Sequence, residues 1–236
     1  KTEATSEQLA QGVHALLDGA LNTLEKGALR GLPAPRNIAE LMPDGVKDGK
    51  SKALDAYARA VYFVRMFGEG VRRGRAPKLH VAARVVQDLV EARELAQGRF
   101  VNLACIKDFD VDGASHAVNT AVLAIGIGQQ LGLTRSERVD LGLAGLLHEV
   151  GLLALPPLSA QPSAQEVRRR QEQVPMLTLR TLLGSLTPNE RAYQRLAAAN
   201  EFALPFSDHL MALRQGRKGQ SLAARIIAVA HAFDTL

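Results

Sequence analysis

The sequence predicts an all-α protein, and three observations carry the prediction. Apolar residues recur at three- and four-residue intervals along most of the chain, the spacing of one helix face. Aromatic residues make up only 4%, with no Trp, so the core must be built from Leu, Ala, Val and Ile. Leu and Ala are strong helix formers, and the β-branched and aromatic runs that favour strands are few. No strand, internal repeat or low-complexity tract stands out.

The elements follow in order. Thr5-Ser6-Glu7-Gln8 has the spacing of a capping box, in which side chains satisfy the free backbone donors of a helix start. Leu9, Val13, Leu16, Leu17, Leu21 and Leu24 then fall on one helix face. Two prolines in "GLPAPRN" break that helix, and "MPDGVKDGK" (42–50) is a second loop. A helix is expected over about 51–70. After "RRGRAPK" (72–78) a long helix should bury Val81, Val85, Val86, Leu89, Val90 and Leu95.

From Phe100 the chain reads as a turn around Asp110–Gly113 and a helix to about Leu131. Thr134-Arg135-Ser136-Glu137 is another capping-box spacing. It should start the helix that carries Leu141, Leu143, Leu146 and Leu147 and ends at His148-Glu149. "LPPLSAQPS" (155–163) is a loop. Thr187-Pro188-Asn189-Glu190 reads as a helix start with Pro at its first position. "GRKGQ" (216–220) turns into a last helix over 221–236.

Bulk properties bound the function. With 236 residues, 47% hydrophobic and 22% charged, the chain suits one large soluble domain or two small ones. The single cysteine, Cys105, excludes an intrachain disulfide and a cysteine-based zinc site, and fits a reducing cytoplasm. No run of about 18 apolar residues offers a membrane span, and no signal peptide is visible. The chain begins at Lys1 rather than Met, which fits a piece of a longer protein. The net charge is +5, with basic clusters at Arg72–Arg75 and Arg168–Gln171. Neither cluster has the neighbouring aromatics of a nucleic-acid surface. The expectation is solvated helix faces and no nucleic-acid partner, with a weak phosphate or acidic-partner surface as the alternative.

Chemistry-bearing residues are those stranded on apolar helices: His116, His148, Glu149 and His231. Imidazole and carboxylate together suit zinc, iron or manganese. Spacing alone does not bring them together, and each histidine taken singly reads as a core residue bonded to a backbone carbonyl.

The stretch from about Val81 to Leu236 resembles an HD-GYP domain, a branch of the HD metal-dependent phosphohydrolases. "SHAVNTAVLAIGIGQQLGL" resembles its helix opening with His-Ser-x-x-Val. "LGLAGLLHEVGLLALP" resembles its Leu-Leu-His-Asp-Ile-Gly-Lys-x-x-x-Pro. "SLAARIIAVAHAFDTL" resembles its Leu-x-x-Arg-Ile-x-x-Val-Ala-Asp-x-x-Asp-Ala-Leu. The resemblance implies an HD-domain-like helical bundle over 81–236, preceded by an N-terminal helical extension over 1–80. It also implies that the chain continues beyond Leu236. Active members of the family hold two or three metals and hydrolyse cyclic di-GMP.

Departures from the family pattern change that expectation. Glu149 stands where the His-Asp pair has Asp, and Leu152 where the family has a phosphate-contacting Lys. Val174 falls where a ligand His-Pro is expected. Ala199-Asn200 falls where a His-His pair is expected, and "FALPFSDHL" (202–210) replaces the Gly-Tyr-Pro loop. His231 replaces the closing Asp. Each missing oxyanion contact costs a factor of roughly 100 or more in rate. The apolar framework of Val118, Val122, Leu141, Leu147, Ile226, Ile227 and Val229 is kept.

The leading expectation is a catalytically inactive HD-GYP-like module with no cofactor, acting on a protein partner, with a homodimer also open. One alternative is a residual phosphohydrolase holding a single iron, manganese or zinc at His116, His148, Glu149 and His231. The other is a sensor that binds cyclic di-GMP without cutting it, using Arg168, Arg169 and Arg170.

Overall fold

The computed structural model describes residues 49–75, 78–96, 113–156, 158, 161–184 and 189–235. Among them are eight α-helices, one 3-10 helix and no strand, so the all-α expectation is met. The capping box at Thr5, the apolar stripe from Leu9 to Leu24, Cys105 and the turn from Asp110 lie outside the described residues.

The helices are α1 (Gly49–Arg72), α2 (Leu79–Ala96), α3 (Ala114–Gln130), α4 (Arg135–Leu147), α5 (Ala164–Leu183), α6 (Glu190–Glu201), α7 (Phe206–Arg214) and α8 (Leu222–Thr235). A 3-10 helix, Val150–Ala154, joins the end of α4 toward α5.

The local starts obey capping chemistry. Thr134 Oγ1 accepts the Glu137 N–H, and the Glu137 carboxylate accepts the Thr134 N–H, closing the expected capping box on α4. Ser163 caps α5 through the Glu166 N–H. The cap of α6 is Asn189, whose side chain accepts the Ala192 N–H. The helix start expected at Pro188 is therefore corrected: the first helical residue is Glu190. An Asx side chain can accept the free N–H of the first turn, and Pro cannot. Gly113 precedes α3 with φ of 70°, a conformation open to glycine at little strain.

Helix α3 is the hub. Most of its residues are buried, on all faces, as in a helix enclosed by others. It packs most broadly against α4 and also against α1 and α8. Gly145 on α4 makes the α3–α4 approach close, because a Cβ there would stand 3.2 Å from Ala121 Cα. One continuous core runs from Tyr57 and Val61 on α1, through Val86 and Leu89 on α2 and Val118 and Val122 on α3, to Leu147 on α4 and Ile227 on α8.

Two residues expected inside are outside. Leu95 is half exposed and Val229 is 60% exposed. Ile227 and Ala230 face the core from α8, and Val229, two residues from Ile227, points roughly to the opposite side. Leu95 falls in the last turn of α2, off the face that carries Val86, Leu89 and Val90. No described helix is long and apolar enough to cross a membrane.

Candidate metal centre

Two helix positions and one helix junction bring His116, His148, Glu149 and His231 together. His116 lies in the first turn of α3 and His231 near the end of α8; these two helices pack on each other. His148 is the C-terminal cap of α4, and Glu149 is the cap of the 3-10 helix that follows. The sharp turn at this junction aims two adjacent side chains at the same point. One ligand atom from each of the four residues lies within 4.8 Å of the others.

Hydrogen bonds fix which ring nitrogens face inward. His148 Nδ1 donates its proton to the Gly145 carbonyl at 2.6 Å. His116 Nδ1 donates to Asp234 Oδ2, also at 2.6 Å. In each neutral ring the Nε2 then carries a lone pair. Both Nε2 atoms point at His231 Nδ1, at 3.0 Å from His116 and 3.1 Å from His148. Glu149 Oε2 stands 3.6 Å from His116 Nε2 and 3.9 Å from His148 Nε2.

This donor set fits a single transition metal. Four ligands at zinc-like bond lengths of 2.0–2.1 Å stand about 3.3 Å from one another in a tetrahedron. His231 Nδ1 is slightly closer than that to the other two nitrogens, and the Glu149 oxygen slightly farther from them. Outer partners on the second ring nitrogens, a carboxylate for His116 and a carbonyl for His148, are those that typically orient metal-binding imidazoles.

The surroundings of His148 and His231 favour neutral rings, the form that ligates metal. His148 is fully buried, and burial pushes its pKa well below the ordinary histidine value, helped by the neighbouring His116 and His231. Burial also lowers His231, to about 4, with His116 acting in the same direction and Asp234 opposing. Phe202, just past α6, closes one side, its ring edge-on to His148 with centroids 4.8 Å apart. Beside Glu149 lies a pocket of about 40 Å³ among Phe63, Phe67, Ala117, Leu152 and Leu153. That is space for a few waters.

The remaining sequence candidates occupy other places. Leu152 is half-buried in the wall of that apolar pocket. Val174, on α5, is buried under Gly151, where its carbonyl would lie 2.5 Å from an added Cβ. Ala199 is buried in α6 and Asn200 is half-buried beside it. Arg168 pairs with Glu172 at 3.1 Å on an exposed face of α5. Arg170 donates to the backbone carbonyls of Pro156 and Leu152. Arg169 lines an open surface groove together with Pro156 and Leu158.

Sequence reading passed over three residues that complete the centre. Asp234, Asn119 and Tyr57 form a buried chain: Tyr57 O–H donates to Asn119 Oδ1 at 2.7 Å, and Asn119 Nδ2 donates to Asp234 Oδ1 at 2.8 Å. The available signal was spacing. Asn119 follows His116 by three residues and Asp234 follows His231 by three, so each pair shares a helix face.

No protein-family model, curated protein or solved structure matches the chain.

Proposed function

We propose that the chain is a non-catalytic HD-like module that holds one transition metal and acts through a protein partner. The observation that carries this reading is the convergence of His116 Nε2 and His148 Nε2 on His231 Nδ1, at 3.0 and 3.1 Å, with Glu149 beside them. A bound metal would tie α3, α4 and α8 together, and binding free energy at such a site adds to folding free energy.

Two features support loss of hydrolysis, and a third bears on nucleotide sensing. A lysine at position 152 would offer a cation to a phosphate; Leu152 presents an apolar side chain toward Phe63 and Phe67. Phe202 stands against His148 and His231 where further polar ligands would be needed. Arg168 and Arg170 are engaged with Glu172 and with backbone carbonyls, which lends little support to nucleotide sensing. A partner-binding role draws support from α7, where Phe206, Leu210, Met211 and Leu213 are all exposed, an unusual apolar density for a short surface helix.

One observation favours a second reading. The Glu149 side chain keeps 22% of its surface exposed, which leaves an approach to the centre for a small phosphoester. In the first reading, protein loaded with manganese, iron or zinc carries one ion per chain and does not turn over cyclic di-GMP. Turnover at an enzymatic rate, lost in His116→Ala, establishes the second.

A further inference from the structure

We propose that Asp234 is the positioning residue of the metal centre: backed by Asn119 and Tyr57, it holds His116 in the single tautomer and orientation that can ligate. The inference rests on the metal-binding reading above and adds residues to it.

The geometry leaves Asp234 little freedom. Its side chain is 6% exposed, and both oxygens are committed, Oδ2 to His116 Nδ1 at 2.6 Å and Oδ1 to Asn119 Nδ2 at 2.8 Å. An ionised carboxylate only accepts hydrogen bonds. The neutral His116 ring therefore carries its proton on Nδ1 and presents a lone pair at Nε2, the atom 3.0 Å from His231 Nδ1. Asn119 is itself fixed, because its oxygen accepts the hydroxyl proton of the fully buried Tyr57. Its amide nitrogen is thereby turned to Asp234, and the carboxylate cannot rotate away. The chain of bonds runs from α1 through α3 to α8 and ends on one ligand.

An asparagine at 234 breaks this logic. It has one acceptor oxygen where two donors converge. With its amide nitrogen toward His116 it would favour the tautomer protonated on Nε2, which blocks the ligating atom. With that nitrogen toward Asn119, two N–H groups face each other. Either way a ligand is lost or loosened, and outer partners of metal-bound histidines typically contribute about 10- to 100-fold in metal affinity.

The test is a cobalt(II) titration of the full chain, followed by the visible absorption of the bound ion. Asp234→Asn should bind cobalt about 10- to 100-fold more weakly, with a helical circular dichroism spectrum like that of the unchanged chain. Tyr57→Phe removes only a distant hydroxyl and should weaken binding in the same direction by less, whether or not Asp234→Asn folds. A purely structural network would lower the melting temperature of the metal-free variants and leave cobalt affinity and spectrum unaltered; that result overturns the positioning role while the metal site stands. Failure of the unchanged chain to bind cobalt overturns the metal reading and the positioning role together.

Discussion

His148 Nε2 and His231 Nδ1 lie 3.1 Å apart although 83 positions separate them in the chain. His231 Nδ1 also stands 3.0 Å from His116 Nε2, and with at most one proton of its own it cannot donate fully to both of these lone pairs. The contact depends on the end of α4 meeting the face of α8 across α3. Removal of either ring should therefore abolish metal binding, with different consequences for the fold. His148→Ala empties a fully buried volume and leaves the Gly145 carbonyl without its donor. It should lower unfolding free energy by about 2–4 kcal/mol. His231→Ala, at a partly exposed position, should lower it by less. Denaturant melts of the metal-free variants, beside cobalt titrations, check both.

Acid should weaken the metal-free fold in a defined window. His231 is held near pKa 4 against an ordinary value of 6.5, and His148 is depressed as well. A lowered folded-state pKa means that the unfolded chain binds more protons between those values, so stability rises with pH there. The contribution is complete above about 6.5 and is lost as pH falls toward 4. Melting temperature measured across that range should drop, and His231→Ala should flatten part of the drop.

Gly151 is a packing point on which the orientation of Glu149 depends. An added Cβ would stand 2.5 Å from both Thr178 N and Val174 O, which are backbone atoms of α5. The Gly151 N–H also donates to Thr178 Oγ1 at 3.0 Å. Gly151→Ala should destabilise by about 1–3 kcal/mol through overpacking, and should weaken metal binding by displacing the 3-10 helix that begins beside Glu149. Gly70→Ala, with open space at its Cβ, serves as the control.

Leu152→Lys supplies the cation of the HD-GYP pattern that the sequence resembles and still should not confer cyclic di-GMP hydrolysis. The pocket it would enter is walled mainly by Phe63, Phe67 and Leu153, and the carboxylate it holds is that of Glu149, which the ammonium would draw away from the proposed metal. The expected outcome is a lower melting temperature and no turnover. Recovered turnover would argue for the phosphohydrolase reading.

Local chemistry was readable from the sequence, and tertiary facing was only partly so. The Thr134–Glu137 capping box could be named because its partners lie three residues apart and answer only to backbone geometry. The stripe on α2 holds for Val85, Val86, Leu89 and Val90 and fails for Leu95, which the helical period places off that face. Val229 on α8 fails likewise, because the period sets it roughly opposite Ile227. His116, His148, Glu149 and His231 were singled out as polar residues on apolar helices, but their meeting depends on how α3, α4 and α8 pack. Asp234 and Asn119 were missed because an acid and an amide near helix ends ordinarily face solvent; their burial follows from Tyr57 arriving on α1, far away in sequence.

Metal content per chain bears most directly on the proposed centre. Protein purified without an affinity tag or chelator, then loaded and desalted, should carry close to one iron, manganese or zinc ion by elemental mass spectrometry, and His116→Ala should carry none. An unchanged chain that retains no metal after loading would contradict a metal-holding function for the His116–His148–Glu149–His231 cluster.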